Sequence, residues 1–191
     1  ESITPGAADS WHARKRAGLG LMLTLTALGV PMLFQGQDFL EDRWFDDRRY
    51  LSWDKQHRFS CFLHLARDLI QLRRDTARTT RGLSGRHCHI LRADQQRKIL
   101  AYHRFENGGP GDDTVVIANL STHPVHGQAI GLPHPGRWRL RMNTDAPRYG
   151  DGFGAVHPTD LTTSPGWYDG CGQHAEVTIG PYAALIYSQD A

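Results

Sequence analysis

Residues 28–39 read Leu-Gly-Val-Pro-Met-Leu-Phe-Gln-Gly-Gln-Asp-Phe, and this stretch decides the fold. Gly29 ends a helical pattern, and a short apolar run follows at 30–34, interrupted by Pro31. Such a run predicts a strand buried on both faces, as parallel strands are, with the proline tolerated at its start. Polar residues follow at 35–38, and polar residues at the carboxyl end of a buried strand are typical of a functional site. The same pattern also fits a buried strand that leads into a simple turn.

The sequence predicts a helix on each side of this strand. Residues 11–28 place apolar side chains on one face, and Asp9 or Ser10 is suited to cap the amino-terminal end of the helix. Residues 56–76 repeat the helical spacing with a longer apolar face. Helix, strand and helix in this order predict part of an α/β fold.

From residue 87 onward the hydrophobic period changes to two, which indicates strands. Strands are predicted at 87–92, 99–105, 114–120, 127–130, 138–143, 176–179 and 183–188. The glycine-rich stretch 147–172 is predicted to be a long loop. Short strands separated by turns predict an antiparallel β-sandwich, so the chain divides into an α/β part and an all-β part.

The composition is that of a globular protein, because 39% of the 191 residues are apolar and 22% are charged. A net charge of +2 gives no case for nucleic acid, and no apolar run reaches the ~18 residues of a membrane span. Cys61, Cys88 and Cys171 form no CxxC pair, which favours a reducing, cytoplasmic location. Glu1 is not a start methionine and no signal peptide is visible, so we expect a fragment of a longer chain.

The stretch 40–55 is dense in carboxylates and aromatic rings, which are Glu41, Asp42, Trp44, Phe45, Asp46, Asp47, Tyr50 and Trp53. Ring faces stack on the CH faces of sugars, while carboxylates accept hydrogen bonds from sugar hydroxyls. This composition favours a sugar-binding loop. The alternative is a surface loop that its own aromatic side chains hold in place.

Several motifs resemble 1,4-α-glucan branching enzymes of the α-amylase family. Gly29-x-Pro31 followed by Gly36-x-Asp38 is similar to the eighth-strand motif of the family's (β/α)8 barrel, usually written G-x-P…G-x-E. Further similarity lies in the runs 3–16, 34–47, 118–121 and 180–185. The chain departs from the family pattern at Asp38, where the family has glutamate, at Ser52, where aspartate is usual, and at Arg49-Tyr50, which replace an acid and a proline.

The resemblance implies an α/β plus all-β fold. Residues 1–83 would be the C-terminal end of a (β/α)8 barrel, made of helix, strand eight and helix, and residues 87–191 would be the antiparallel β-sandwich that follows it. The implied activity is the formation of α-1,6 branches in α-glucans by transglycosylation. In this family the catalytic carboxylates lie on strands four, five and seven, so no catalytic residue is assigned here and we expect this chain to be inactive alone.

The candidate glucan contacts are Trp44 and Asp47, with Gln37 and Asp38 lining or bracing the site. Neither a cofactor nor a metal is predicted. The run His87-Cys88-His89 resembles a ligand set, but in a strand Cys88 points away from the two histidines, so the three cannot chelate together.

Alternative interpretations stay open. The chain fits a fragment of another α-amylase-family hydrolase or transferase, or a separate α-glucan-binding or structural sandwich. On the sandwich, Trp138, Trp167 and Tyr182 are candidates for a sugar-stacking patch, although core packing of Trp138 is the competing interpretation. We also expect residues 1–83 to be unstable alone and residues 87–191 to fold. The sequence gives no oligomeric state.

Overall fold

The structure is a computed structural model that describes residues 9–43 and 46–191. It opens with helix α1 (Trp11–Thr26), in which Ser10 Oγ accepts a hydrogen bond from the Ala13 amide at 3.3 Å. The predicted first helix and its cap are therefore confirmed, although the helix ends two residues early. The predicted second helix is divided into α2 (Asp54–Arg58) and α3 (Ser60–Arg73) by the non-helical backbone of Phe59.

The strand predicted at 30–34 is absent from the described residues, so the implied strand eight is not formed here. Val30 and Met32 belong to no strand of the described residues, and they are 97% and 79% exposed. A strand that is buried on both faces requires neighbouring strands, and every strand pair in the described part of the chain is antiparallel and lies after residue 86. The apolar composition is therefore present without the sheet that would bury it.

The strands after residue 86 form two antiparallel sheets, which confirms the predicted β-sandwich. The strands are β1 (His87–Asp94), β2 (Ile99–Phe105), β3 (Thr114–Asn119), β4 (Val125–Leu132), β5 (Arg137–Asn143), β6 (Leu161–Thr162), β7 (Ser164–Tyr168), β8 (Cys171–Ile179) and β9 (Ala183–Ser188). The large sheet has the order β1-β2-β3-β9-β5-β6, and the small sheet has the order β4-β8-β7. The predicted loop at 147–172 is wrong in part, because it contains β6, β7 and the start of β8. β6 forms through pairing with the distant β5, whereas β7 and β8 form a hairpin around Asp169 and Gly170, a local turn signal that the prediction missed.

The central strands β3 and β9 of the large sheet are buried on both faces. On β3, Val116 and Ala118 pack with the helices, whereas Val115 and Ile117 pack with the small sheet. The helices α1 and α3 contribute Met22, Leu25, Phe62, Leu65 and Leu69 to the first of these two cores. The helical segment and the sandwich therefore share one apolar layer.

A buried ion pair joins α1 to the sandwich. Lys15 Nζ lies 2.5 Å from Asp145 Oδ1, and both side chains are almost completely inaccessible to solvent. Burial lowers the pKa of Lys15, and the Asp145 carboxylate opposes that shift. Asp145 also accepts hydrogen bonds from the amides of Gly154 and Ala155, so its charge is compensated on several sides.

Two arginines bind the carbonyl groups at the carboxyl end of α1. Arg73 donates to the carbonyl oxygens of Leu25, at 3.1 Å, and Ala27, at 2.8 Å, and also to that of Gly29. The buried Arg104 guanidinium donates to the carbonyl of Thr26. Cations at this end of a helix satisfy carbonyl groups that lack an intrahelical partner. They also fix the point from which the exposed segment 28–34 leaves the helix.

Candidate functional site

The candidate site is the loop between residue 34 and α2, and its conformation begins at Gly36. This residue has φ +78°, and a Cβ added there would lie 2.6 Å from the Cβ of Glu41. The Gly36 carbonyl accepts hydrogen bonds from the amides of Phe39, at 3.1 Å, and Glu41, at 2.9 Å. The resulting tight turn at Gln37–Phe39 requires glycine at position 36 because of both the positive φ and the close contact.

Glu41 joins the two ends of the loop. Its buried carboxylate accepts hydrogen bonds from the Ser52 amide at 2.7 Å and from Lys55 Nζ at 3.2 Å. It also accepts from the amides of Asp42 and Arg43. Burial by itself would raise the pKa of Glu41, but these donors outweigh that effect and lower the pKa to about 2. Glu41 is therefore ionised at neutral pH and acts as an anchor of the loop.

Ser52 lies beside this anchor. Its side chain is buried, and its hydroxyl accepts a hydrogen bond from the Arg43 guanidinium. In the branching enzymes that the chain resembles, aspartate is usual at this position. A second carboxylate so close to Glu41 would add like-charge repulsion, whereas serine keeps the contact to Arg43 without adding charge.

The loop encloses an open cleft of about 740 Å³. Charged side chains of both signs dominate the lining, which consists of Phe34, Gln35, Glu41, Asp42, Arg43, Asp46, Asp47, Arg48, Arg49, Tyr50 and Leu51. Asp46 accepts from Arg48 Nε and lies near Arg49 Nε, each at 3.3 Å. A cleft of this size and polarity can accept several sugar hydroxyls, and the exposed ring of Tyr50 offers a stacking face.

The structure separates the predicted glucan contacts. Asp47 lines the cleft and is exposed. Gln37 and Asp38 lie in the tight turn and are not among the lining residues, and Gln37 Oε1 accepts from the Phe34 amide at 2.8 Å. Gln37 thus braces the backbone, and Asp38 is half-buried. Trp44 lies outside the described residues.

The contact between Glu41 and Lys55 was not predicted from the sequence. The two residues are 14 positions apart, and no helical or strand period relates them. Glu41 was noticed only as one carboxylate among several in an acidic loop. No local signal in the sequence identifies Glu41 as the anchor, because the donors at 52 and 55 lie more than ten positions away.

The run His87-Cys88-His89 lies outside the cleft, on β1. His87 and His89 both contact the ring of Phe105, at centroid distances of 4.9 and 5.0 Å, whereas Cys88 packs against the helical core. This is the predicted alternation of side chains. Across residues 9–43 and 46–191, no group of three or more His, Cys, Asp or Glu side chains could hold a metal ion.

The predicted aromatic patch does not form. Trp138 is completely buried between the sheets, and its indole N–H donates to the His134 carbonyl at 3.1 Å. Tyr182 packs against the helical core beneath Arg16, whose guanidinium carbon is 5.7 Å from the ring centroid. Trp167, in contrast, is 80% exposed. Trp138 therefore belongs to the core, as the competing interpretation had it.

Residues 89–190 match the family described as alpha amylase, C-terminal all-beta domain. This match covers more than half of the chain and coincides with the two sheets. The chain belongs to this family. Among the described helices, none combines the length and the apolar character that crossing a bilayer requires.

Similarity to curated proteins extends through the helical segment. The chain is 32% identical to the 1,4-alpha-glucan branching enzyme of Rhodospirillum rubrum, over 97% of its own length and 25% of that enzyme. It is 29% identical to a second 1,4-alpha-glucan branching enzyme, from Xanthomonas oryzae, over 93% of its length and again 25% of the relative. The chain thus spans about a quarter of the length of these relatives.

Solved structures share the fold at lower identity. The pullulanase from Anoxybacillus sp. LM18-11, solved as a complex with maltotriose, superposes with a TM-score of 0.62 at 19% identity. The superposition covers 98% of this chain and 24% of the pullulanase. At this identity the likeness concerns the fold alone.

Proposed function

We propose that this chain is the C-terminal part of a 1,4-α-glucan branching enzyme and that it is inactive alone. The observation that carries the proposal is the similarity to branching enzymes along 93–97% of the chain, which includes the loop as well as the sandwich. The reaction is then a transglycosylation, in which a carboxylate of the parent enzyme forms a glycosyl intermediate and a sugar hydroxyl replaces water as acceptor. Those carboxylates belong to the part of the parent that this chain does not supply.

The exposed segment supports the first half of this proposal. Leu28, Val30, Met32 and Phe34 are all exposed, and Arg73 fixes the start of the segment. Four large apolar side chains on one segment are unusual for a surface that stays exposed to solvent. We propose that 30–34 becomes the eighth strand when the rest of a (β/α)8 barrel provides its neighbours.

The cleft would then flank the glucan-binding side of that barrel. Asp47 and Trp44 are the proposed glucan contacts, with the carboxylate accepting sugar hydroxyls and the indole stacking on a ring face. Gln37 and Asp38 are proposed as braces of the turn that positions this loop. We add Tyr50, which lines the cleft with its ring exposed.

Two measurements test the proposal. The first is the intact mass of the native polypeptide, which we expect to exceed 21.5 kDa by most of a barrel of ~250 residues. The second is a branching assay on amylose, which follows the loss of iodine colour and the α-1,6 linkages released by a debranching enzyme. We expect activity in the native polypeptide and none in the 191-residue chain.

Either measurement can contradict the proposal. A native mass of 21.5 kDa would leave a separate α-glucan-binding or structural module as the function. A longer polypeptide that shortens amylose without forming α-1,6 linkages would instead be a hydrolase of the same family. A cytoplasmic location stays a prediction, and the three cysteines are unpaired in the structure.

A further inference from the structure

Trp167 is a second exposed aromatic feature, and the cleft does not use it. It lies on β7, which is an edge strand of the small sheet, and 80% of its surface is exposed. Burial of an indole would stabilise the fold, so this position gives up a large apolar contribution. The small sheet covers the face of the large sheet opposite the helices, so Trp167 is separate from the loop that forms the cleft.

The hairpin that carries Trp167 is fixed by charged contacts. Asp169 and Gly170 both have positive φ, of +49° and +77°, which is the geometry of a tight two-residue hairpin turn. The Asp169 carboxylate accepts two hydrogen bonds from Arg92, at 2.8 and 3.0 Å, and one from the Gly131 amide at 2.9 Å. The Arg92 guanidinium also lies 4.9 Å from the centroid of the Tyr168 ring. The turn is thereby attached to β1 and β4.

A β-bulge determines where Trp167 points. The register between β7 and β8 shifts between Pro165 and Tyr168, so Gly166 and Trp167 form the irregular part of the strand. Gly166 has φ +154°, and a Cβ there would lie 2.9 Å from the imidazole of His174. Bulges redirect side chains at sheet edges. Glycine at this position therefore holds the bulge that turns the indole outward.

We propose that Trp167 is a surface binding residue for α-glucan, on whose indole face one glucose ring stacks. The identity of the ligand rests on the proposed function, while the platform itself rests on exposure and rigidity. A rigid aromatic side chain binds at low entropic cost, and its flat face matches the CH face of a sugar. Ser164 pairs with His174 on the outward face of the small sheet, where it is exposed and can offer a hydroxyl to a sugar.

The test is native affinity electrophoresis of the full chain in gels that contain glycogen or amylopectin. We expect retardation of the wild-type chain and about tenfold weaker binding for Trp167→Ala. Trp167→Phe keeps an aromatic face and should stay within about threefold of the wild type. His126→Ala is the matched control, because His126 is an exposed ring in the bulge at the opposite edge of the same sheet. Its binding should equal that of the wild type.

Several results would contradict the proposal that Trp167 binds α-glucan. These are equal retardation of the wild type and Trp167→Ala, an equal loss in His126→Ala, and equal retardation in gels that contain a soluble β-glucan. If Trp167→Ala changes only the elution volume in gel filtration, the indole contacts a second copy of the chain and the inference fails. The branching assay on the native polypeptide tests the proposed function separately. If that assay shows branching but Trp167→Ala binds glucan like the wild type, only the inference about Trp167 fails. If the assay shows no branching but Trp167→Ala loses glucan binding, only the proposed function fails.

Discussion

Residues 183–187 and residues 30–34 are both short apolar segments, but the first is a buried strand and the second is largely exposed. Ala183, Leu185 and Tyr187 are completely buried, in a strand that pairs with β3 on one side and β5 on the other. Val30 and Met32 are exposed and pair with no strand in the described part of the chain. Apolar composition is nearly the same, so the difference lies in the availability of neighbours.

This contrast has a physical cause. A strand gains stability from ladder hydrogen bonds and cross-strand packing, and neither exists for one isolated segment. Burying backbone groups without ladder partners would also cost free energy. The segment 30–34 therefore stays at the surface, although its sequence predicts a buried strand. The predictions below test how far the two parts of the chain depend on each other.

The largest effect is expected from dividing the chain between residues 83 and 87. We expect 1–83 to aggregate, because α1 and α3 lose the sheet that covers their apolar faces. Residues 87–191 should fold but bind a hydrophobic dye, because Val116, Ala118 and Ile186 lose their helical cover. Gel filtration and dye fluorescence measure both. A monomeric 87–191 piece that binds no dye and melts with the intact chain would show that the two parts are independent.

The next largest effect concerns the ion pair between these parts. Lys15→Met leaves the Asp145 carboxylate buried without its cation, and such a loss costs about 3–5 kcal/mol of unfolding free energy. Urea unfolding measures the change. The matched control is Arg58→Met, because Arg58 pairs with Asp9 at an exposed site, where the change should stay within about 0.5 kcal/mol. Equal effects of the two variants would mean that Lys15 does not join α1 to the sandwich.

How much of this could be read from the sequence depends on the range of the interactions. The bounds of β2 and β9 follow from the local turns that flank them, and they were predicted to the residue. α1 was predicted to within two residues, because spacing and a capping serine are local signals.

Most of the wrong predictions involve partners that are distant or absent; the exception is the β7–β8 hairpin, whose Asp169-Gly170 turn is local. β6 has two residues and pairs with β5, more than twenty positions earlier, so local sequence carries no trace of it. The Glu41 anchor closes a loop through residues 52 and 55, which no periodicity connects. The strand predicted at 30–34 is not formed, because the described residues supply no neighbouring strands for it.

An intermediate effect separates the two apolar segments directly. Ile186→Ala removes buried side-chain atoms from the shared core and should cost about 2–5 kcal/mol. Val30→Ala should change the unfolding free energy of this chain by less than about 0.5 kcal/mol, because Val30 is exposed. Chemical unfolding of both variants measures the contrast. Within a longer native polypeptide, Val30→Ala should become destabilising if 30–34 pairs as a strand there. An unchanged stability in that setting would contradict the strand-eight proposal.

The smallest effect belongs to the loop and depends on pH. The pKa of Glu41 is about 2 in the folded chain, below its ordinary value of 4.5, so ionised Glu41 stabilises the loop fully above about pH 4.5. That contribution disappears as the pH falls from 4.5 towards 2. Glu41→Gln should therefore lower stability at pH 7 by about 1–2 kcal/mol and have progressively less effect as the medium becomes more acidic.

An NMR titration of the Glu41 carboxyl carbon, together with urea unfolding of wild type and variant at pH 7 and pH 3, measures this dependence. Asp46→Asn is the control, because Asp46 pairs only with exposed arginines among the described residues, and it should change stability little. A Glu41 midpoint near its ordinary value of 4.5 would mean that the Ser52 and Lys55 contacts do not hold the loop. The cleft would then lose its fixed wall, whereas the sandwich, whose core contains no part of this loop, would keep its stability.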